Sequence, residues 1–153
     1  MTERIQQDRY KFRVWHKKRK KMYKVLHLHV GTYENGGDWA TAEGFNIITQ
    51  QNMHIQVEPK DCILMQCLGL KDKKNNLLYE GDIVRAYFER ESGDIDYDLM
   101  TVVHVPEWCA FVLKGCKTGS YEDFIFTEYD PKEYEIVGNI YENPELLEKT
   151  NER

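Results

Sequence analysis

No stretch of this sequence approaches the roughly 18 consecutive apolar residues that a membrane-crossing helix requires, and the opening Met1-Thr2-Glu3-Arg4 lacks the apolar core of a secretory signal. Neither a membrane nor an export route is expected, so the expected compartment is a cytoplasm. Cysteine is scarce. Cys62 and Cys67 have four residues between them and Cys109 and Cys116 have six; the two-residue gap of a zinc knuckle is missing, and without export all four read as reduced thiols. Catalytic groupings are wanting too. Cys109 and His104 fall on opposite strand parity with Pro106 between them, which gives no thiol–imidazole pair. His27 and His29, two apart on an expected strand, have metal-like spacing but no third ligand at strand spacing nearby. The expectation is a chain without catalytic residues, metal or cofactor, and therefore not an enzyme.

What is present favours a folded β protein. With 153 residues, 41% of them hydrophobic and 12% aromatic, the chain can bury one core, as one domain or two small lobes sharing it. Charge is unevenly placed. Through Lys24 there are ten basic residues against Glu3 and Asp8, a balance of +8, so the net −5 of the whole leaves −13 for the remainder. A basic end on an acidic body can attract phosphate or the acidic body of a second copy.

Taken in order, Tyr10 to Trp15 alternates apolar and basic residues and reads as a strand, and Met22 to Val30 as its return. Between them His16-Lys17-Lys18-Arg19-Lys20-Lys21 has nothing to bury and reads as an exposed hairpin tip. Gly31 to Asn46 reads as a loop around Asn35-Gly36-Gly37-Asp38, with Trp39 folded over the core. Phe45–Thr49 and His54–Val57 are weak strands, and Pro59 stops the ladder. Cys62–Leu68 is almost wholly apolar, a strand buried on both faces or a turn of buried helix, with its shortness and the following Gly69 favouring a strand that stops at Leu68. Asn75-Asn76 and Gly81-Asp82 are turn pairs, and the Asp of the second is expected to bond nearby backbone N–H groups.

Beyond this joint come five short strands: Ile83–Phe88, Leu99–Val105, Trp108–Leu113, Phe124–Phe126 and Tyr134–Ile140. A short helix follows, capped by Asn143 with Pro144 in its first position, and Thr150 to Arg153 are expected to fray. The expected class is α+β, predominantly β: an N-terminal antiparallel lobe (1–80) packed on a small SH3-like barrel with a C-terminal helix (81–153), together one unit.

Five blocks in order carry a family resemblance: Lys11-Phe12-Arg13-Val14-Trp15; Lys20-Lys21-Met22-Tyr23; Met65-Gln66 with Gly69-Leu70-Lys71-Asp72-Lys73; Tyr79-Glu80-Gly81-Asp82-Ile83-Val84; and Ile136 to Leu147. Together they resemble the YopX family of bacteriophage and prophage proteins across nearly the whole chain. Departures are His16, Cys67-Leu68 and Asn75-Asn76. The resemblance implies a small phage-encoded β-rich protein of undefined biochemical role, self-associating in some members, and supplies no catalytic residue.

Two functions follow as expectations. The first is a non-catalytic interaction or self-assembly module, a phage accessory protein partnered by copies of itself or by a phage or host protein. The second is nucleic-acid binding by the basic hairpin, with Lys17, Lys18, Arg19, Lys20 and Lys21 meeting phosphate and Trp15 or Tyr23 stacking on a base.

Overall fold

The structure, a computed structural model, describes residues 11–29, 39–46, 51–57, 59–116, 121–125 and 133–148. Its contacts divide the chain between Gln66 and Cys67, inside one strand, where the sequence suggested 80/81.

In the first part, β1 (Phe12–His16) pairs antiparallel with β2 (Lys21–His29), with Val14 opposite Tyr23 and His16 opposite Lys21. β3 (Trp39–Asn46) adds to β2 and β4 (Gln51–Val57) to β3. On its other side β1 takes the opening half of β5 (Cys62–Lys71), after a 3-10 turn at Pro59–Asp61. Residues 39–46 are therefore strand rather than loop. Gly31–Asp38 and the side chain of Trp39 lie outside the described residues, as do the side chains of His27 and His29 and the whole of 149–153. Val14, Trp15 and His16 are consecutive and all buried, so the end of β1 is covered on both faces.

β5 corrects two expectations. Burial alternates along it, with Met65, Cys67 and Gly69 buried and Leu64 exposed, so it is a one-sided strand. Nor does Gly69 end it. Its φ of 78° instead makes a bulge, seen as a register shift between the Cys67–Tyr79 and Lys71–Leu77 pairs.

In the second part β6 (Leu77–Tyr79), not foreseen, pairs with the closing half of β5. Beyond it stands a five-stranded antiparallel sheet in the order β10–β9–β8–β7–β11: β7 is Asp82–Glu89, β8 Ile95–Val105, β9 Ala110–Gly115, β10 Tyr121–Ile125 and β11 Tyr134–Asn139. The five expected strands are present, with β8 beginning four residues earlier than expected and β9 two residues later, because Pro106–Trp108 forms a 3-10 turn that Cys109 leaves at a φ of 49°. Among the described residues β10 and β11 are edges, and no pairing closes the sheet into a barrel. One face carries the core of Leu78, Val84, Met100, Val102, Leu113 and Tyr134. Burying each such side chain contributes on the order of 1.5–3 kcal/mol. Neighbouring Ile83 and Val84 are both fully buried, so β7 starts under cover on each side. The helix, α1, is one turn, Glu145–Glu148; the Asn143 carbonyl accepts from the Leu146 N–H.

Candidate interaction surfaces

The turn motifs singled out in the sequence are structural. Asp72 is buried, and its carboxylate accepts the Asn76 N–H at 2.8 Å, the Lys74 N–H at 2.9 Å, the Ile136 N–H at 3.1 Å and the Asn76 side-chain amide at 3.3 Å. It thereby closes the β5–β6 turn, with Asn75 at a φ of 69°, and ties that turn to β11. Burial would raise its pKa, but these donors together hold it below the ordinary carboxylate value. Asp82, also buried, accepts the Tyr79 N–H at 2.7 Å, as expected of an Asp after Gly81. Asn139 accepts the N–H groups of Tyr141 and Glu142 at 3.1 and 2.9 Å and donates to the Glu142 carboxylate at 2.8 Å. These acids and amides are engaged with backbone. No group of three or more metal-ligating side chains occurs among the described residues, and none of their helices is long and apolar enough to cross a membrane.

The basic hairpin tip is displayed as expected, but its two aromatics are not. Residues 17–21 are exposed, whereas Trp15 and Tyr23 are 6% and 7% exposed. Both belong to the fold, which removes them as bases' stacking partners and leaves the cations. The tip itself is firmly built: the Lys20 N–H donates to the His16 carbonyl at 2.9 Å with Lys20 at a φ of 52°, and the Lys17 N–H donates to the Asp61 carbonyl at 2.8 Å. Lys18 Nζ pairs with Asp61 at 2.8 Å, and that hydrogen bond lowers the Asp61 pKa. Lys17 Nζ donates to the Lys60 carbonyl at 3.2 Å, and Lys21 Nζ stands 5.5 Å from the Tyr23 ring centre.

A second surface escaped the sequence. Arg85 and Tyr87 are two apart on β7 and so share a face, opposite Leu99 and Tyr97 of β8. Glu135 of β11 lies opposite Arg85 and gathers Lys73 at 2.7 Å, Lys74 at 2.5 Å, Arg85 at 4.0 Å and the Tyr87 hydroxyl at 2.9 Å. Lys73 Nζ sits 3.9 Å from the Tyr87 ring centre and the Arg85 guanidinium 4.6 Å from that of Tyr97. The Lys73 and Lys74 hydrogen bonds, then that of Tyr87, pull the Glu135 pKa down to about 2. The Lys73 ammonium is in turn held charged by Glu135. Three cations around one carboxylate leave this half-buried tyrosine platform with a surplus of positive charge. The period-two pair Arg85 and Tyr87 was readable, but the meeting with Glu135 needed the β7–β11 register.

Among the described residues the fold is that of a predominantly β protein, with two antiparallel sheets and one short helix. The family model described as YopX protein matches residues 11–148, and the chain belongs to that family. Among solved structures it is similar to the crystal structure of protein EF1440 from Enterococcus faecalis, with 21% identity, a TM-score of 0.57, and coverage of 90% of this chain and 96% of that one. That likeness is one of fold. No functionally curated protein matches the chain.

Proposed function

We propose that this protein is a non-catalytic interaction module, a phage or prophage accessory protein working in the cytoplasm of a bacterial host. Its partners are copies of itself or a phage or host protein, and it uses no cofactor or metal. The observation carrying this reading is the Lys73–Arg85–Tyr87–Tyr97 platform around Glu135, because Arg and Tyr ordered on a sheet face are the residue types that anchor protein interfaces. The strand count of the second part supports treating it as an SH3-like relative with an open edge. Native mass measured against concentration tests the reading. Assemblies above the monomer are expected, with Arg85→Ala and Tyr97→Ala weakening them roughly tenfold each; a monomer at every concentration, with no phage or host partner recovered in defined two-component binding, overturns it.

The displayed cations at Lys17–Lys21 favour a second reading, nucleic-acid binding through phosphate alone, since the buried Trp15 and Tyr23 cannot stack. Such binding would be independent of sequence and strongly weakened by salt. Replacing Lys17–Lys21 by Ser without effect on retention of a duplex at low salt removes it.

A further inference from the structure

Among the described residues the β7–β8 hairpin reaches past the strands paired with it. β11 pairs with β7 only as far as Ala86, and β9 with β8 only from Met100 onward, so residues 87–97 form a two-stranded ribbon within the sheet's own pairing. Its turn is well made: the Arg90 N–H donates to the Asp94 carbonyl and the Gly93 N–H to the Arg90 carbonyl, each at 2.8 Å, with Gly93 at a φ of 84°. Ser92 Oγ donates to the Asp94 carboxylate at 2.8 Å, and Arg90 pairs with Asp96. With Arg90 and Asp96 neutralising each other, Glu89, Glu91 and Asp94 leave three negative charges on this exposed finger. Large apolar side chains stand there as well, Phe88 42% and Ile95 67% exposed. Phe88 is opposite Asp96 and Ile95 opposite Glu89, so the ribbon offers one apolar group on each face.

The β1–β2 tip is its counterpart in charge. With Lys18 neutralised by Asp61, Lys17, Arg19, Lys20 and Lys21 leave four positive charges, and no ion pair engages Arg19 or Lys20 among the described residues. Lysine and arginine also carry long aliphatic stems that can cover an apolar ring or methyl group while the charged head meets a carboxylate. We propose that the acidic finger of one copy docks on the basic tip of a second copy through the face that carries Ile95 and Glu89, Ile95 packing against the Arg19 and Lys20 stems while Glu89, Glu91 and Asp94 meet their cations. This rests on the interaction reading above and adds a second contact between copies to the platform around Glu135. A second copy is favoured over nucleic acid as occupant for two reasons on the molecule itself. The tip's aromatics are buried, and the remainder of the chain, at −13, repels phosphate while it attracts the tip of another copy.

Charge exchange tests the pairing. One variant carries Arg19→Glu and Lys20→Glu, another Glu89→Lys and Glu91→Lys, with folding of each verified by circular dichroism and thermal melting. Sedimentation at low salt should show self-association weakened at least about tenfold in each variant alone and restored when the two are mixed in equal amounts. The two variants shift net charge in opposite directions, so a general change in repulsion would weaken one and strengthen the other. Self-association of the unmodified chain that neither variant disturbs, or no restoration on mixing, overturns the finger–tip contact and leaves the wider interaction reading standing; no association or partner at all removes both. Retention of duplex DNA by the unmodified chain, lost in the Arg19 and Lys20 variant while self-association persists, also overturns it and assigns the tip to nucleic acid.

Discussion

Two turns of this chain use the same local device for different ends. At 17–20 and at 72–76 the backbone reverses through a non-glycine residue of positive φ, Lys20 at 52° and Asn75 at 69°. Around Asn75 a buried carboxylate accepts four hydrogen bonds and links the turn to a distant strand. Around Lys20 the backbone closes on the His16 carbonyl and the side chains project outward. The difference lies in where desolvation falls. A buried acid must have its acceptor capacity met, so Asp72 works for the fold; exposed cations in water have no such demand and remain available to a partner.

The sharpest way to break this contrast is Asp72→Ala, which strands the Lys74, Asn76 and Ile136 N–H groups; chemical denaturation should show a loss of about 3 kcal/mol. Gly138→Ala comes next. A Cβ there would lie 2.5 Å from the Asn143 Oδ1, which accepts the Asn139 N–H, so Asn143 must swing away and the bond is lost. About 2 kcal/mol of destabilisation is expected in the same measurement, and a neutral outcome would show that the Asn139–Asn143 turn contributes little.

Glu135 gives a smaller, pH-dependent effect. Its pKa is depressed in the folded chain, from 4.5 to about 2, so its stabilising contribution is complete above about pH 4.5 and disappears as pH falls toward 2. Thermal melts of the unmodified chain and Glu135→Gln should therefore differ at pH 6 and converge near pH 2. The smallest effect is assigned to the basic tip: Arg19→Ser with Lys20→Ser should alter stability by less than about 0.5 kcal/mol. A larger loss would mean that these cations serve the fold after all, erasing the distinction between the two turns.

Legibility in the sequence followed the range of the interactions. Gly81-Asp82 and Asn75 were readable because their chemistry is settled within a few residues, and the strands of the five-stranded sheet because β-branched and aromatic runs bounded by turns announce themselves. β6 was hidden because Leu77-Leu78-Tyr79 is too short to show a period. Gly69 misled because a glycine that ends a strand and one that bulges it look alike until the partner's register is known. Trp15 and Tyr23 misled for the opposite reason: alternation beside a basic run is compatible with display or burial, and packing chose burial.

The residues alone determined that this chain is β-rich, that turns fall at Asn75-Asn76 and Gly81-Asp82, and that its N-terminal stretch is basic against an acidic remainder, since these depend on local conformational preference and on counting charges. Tertiary structure decided which side chains meet. Asp72 reaching Ile136, Glu135 gathering Lys73 and Arg85, and a two-stranded acidic finger arise from strand register, which brings together residues far apart in the chain.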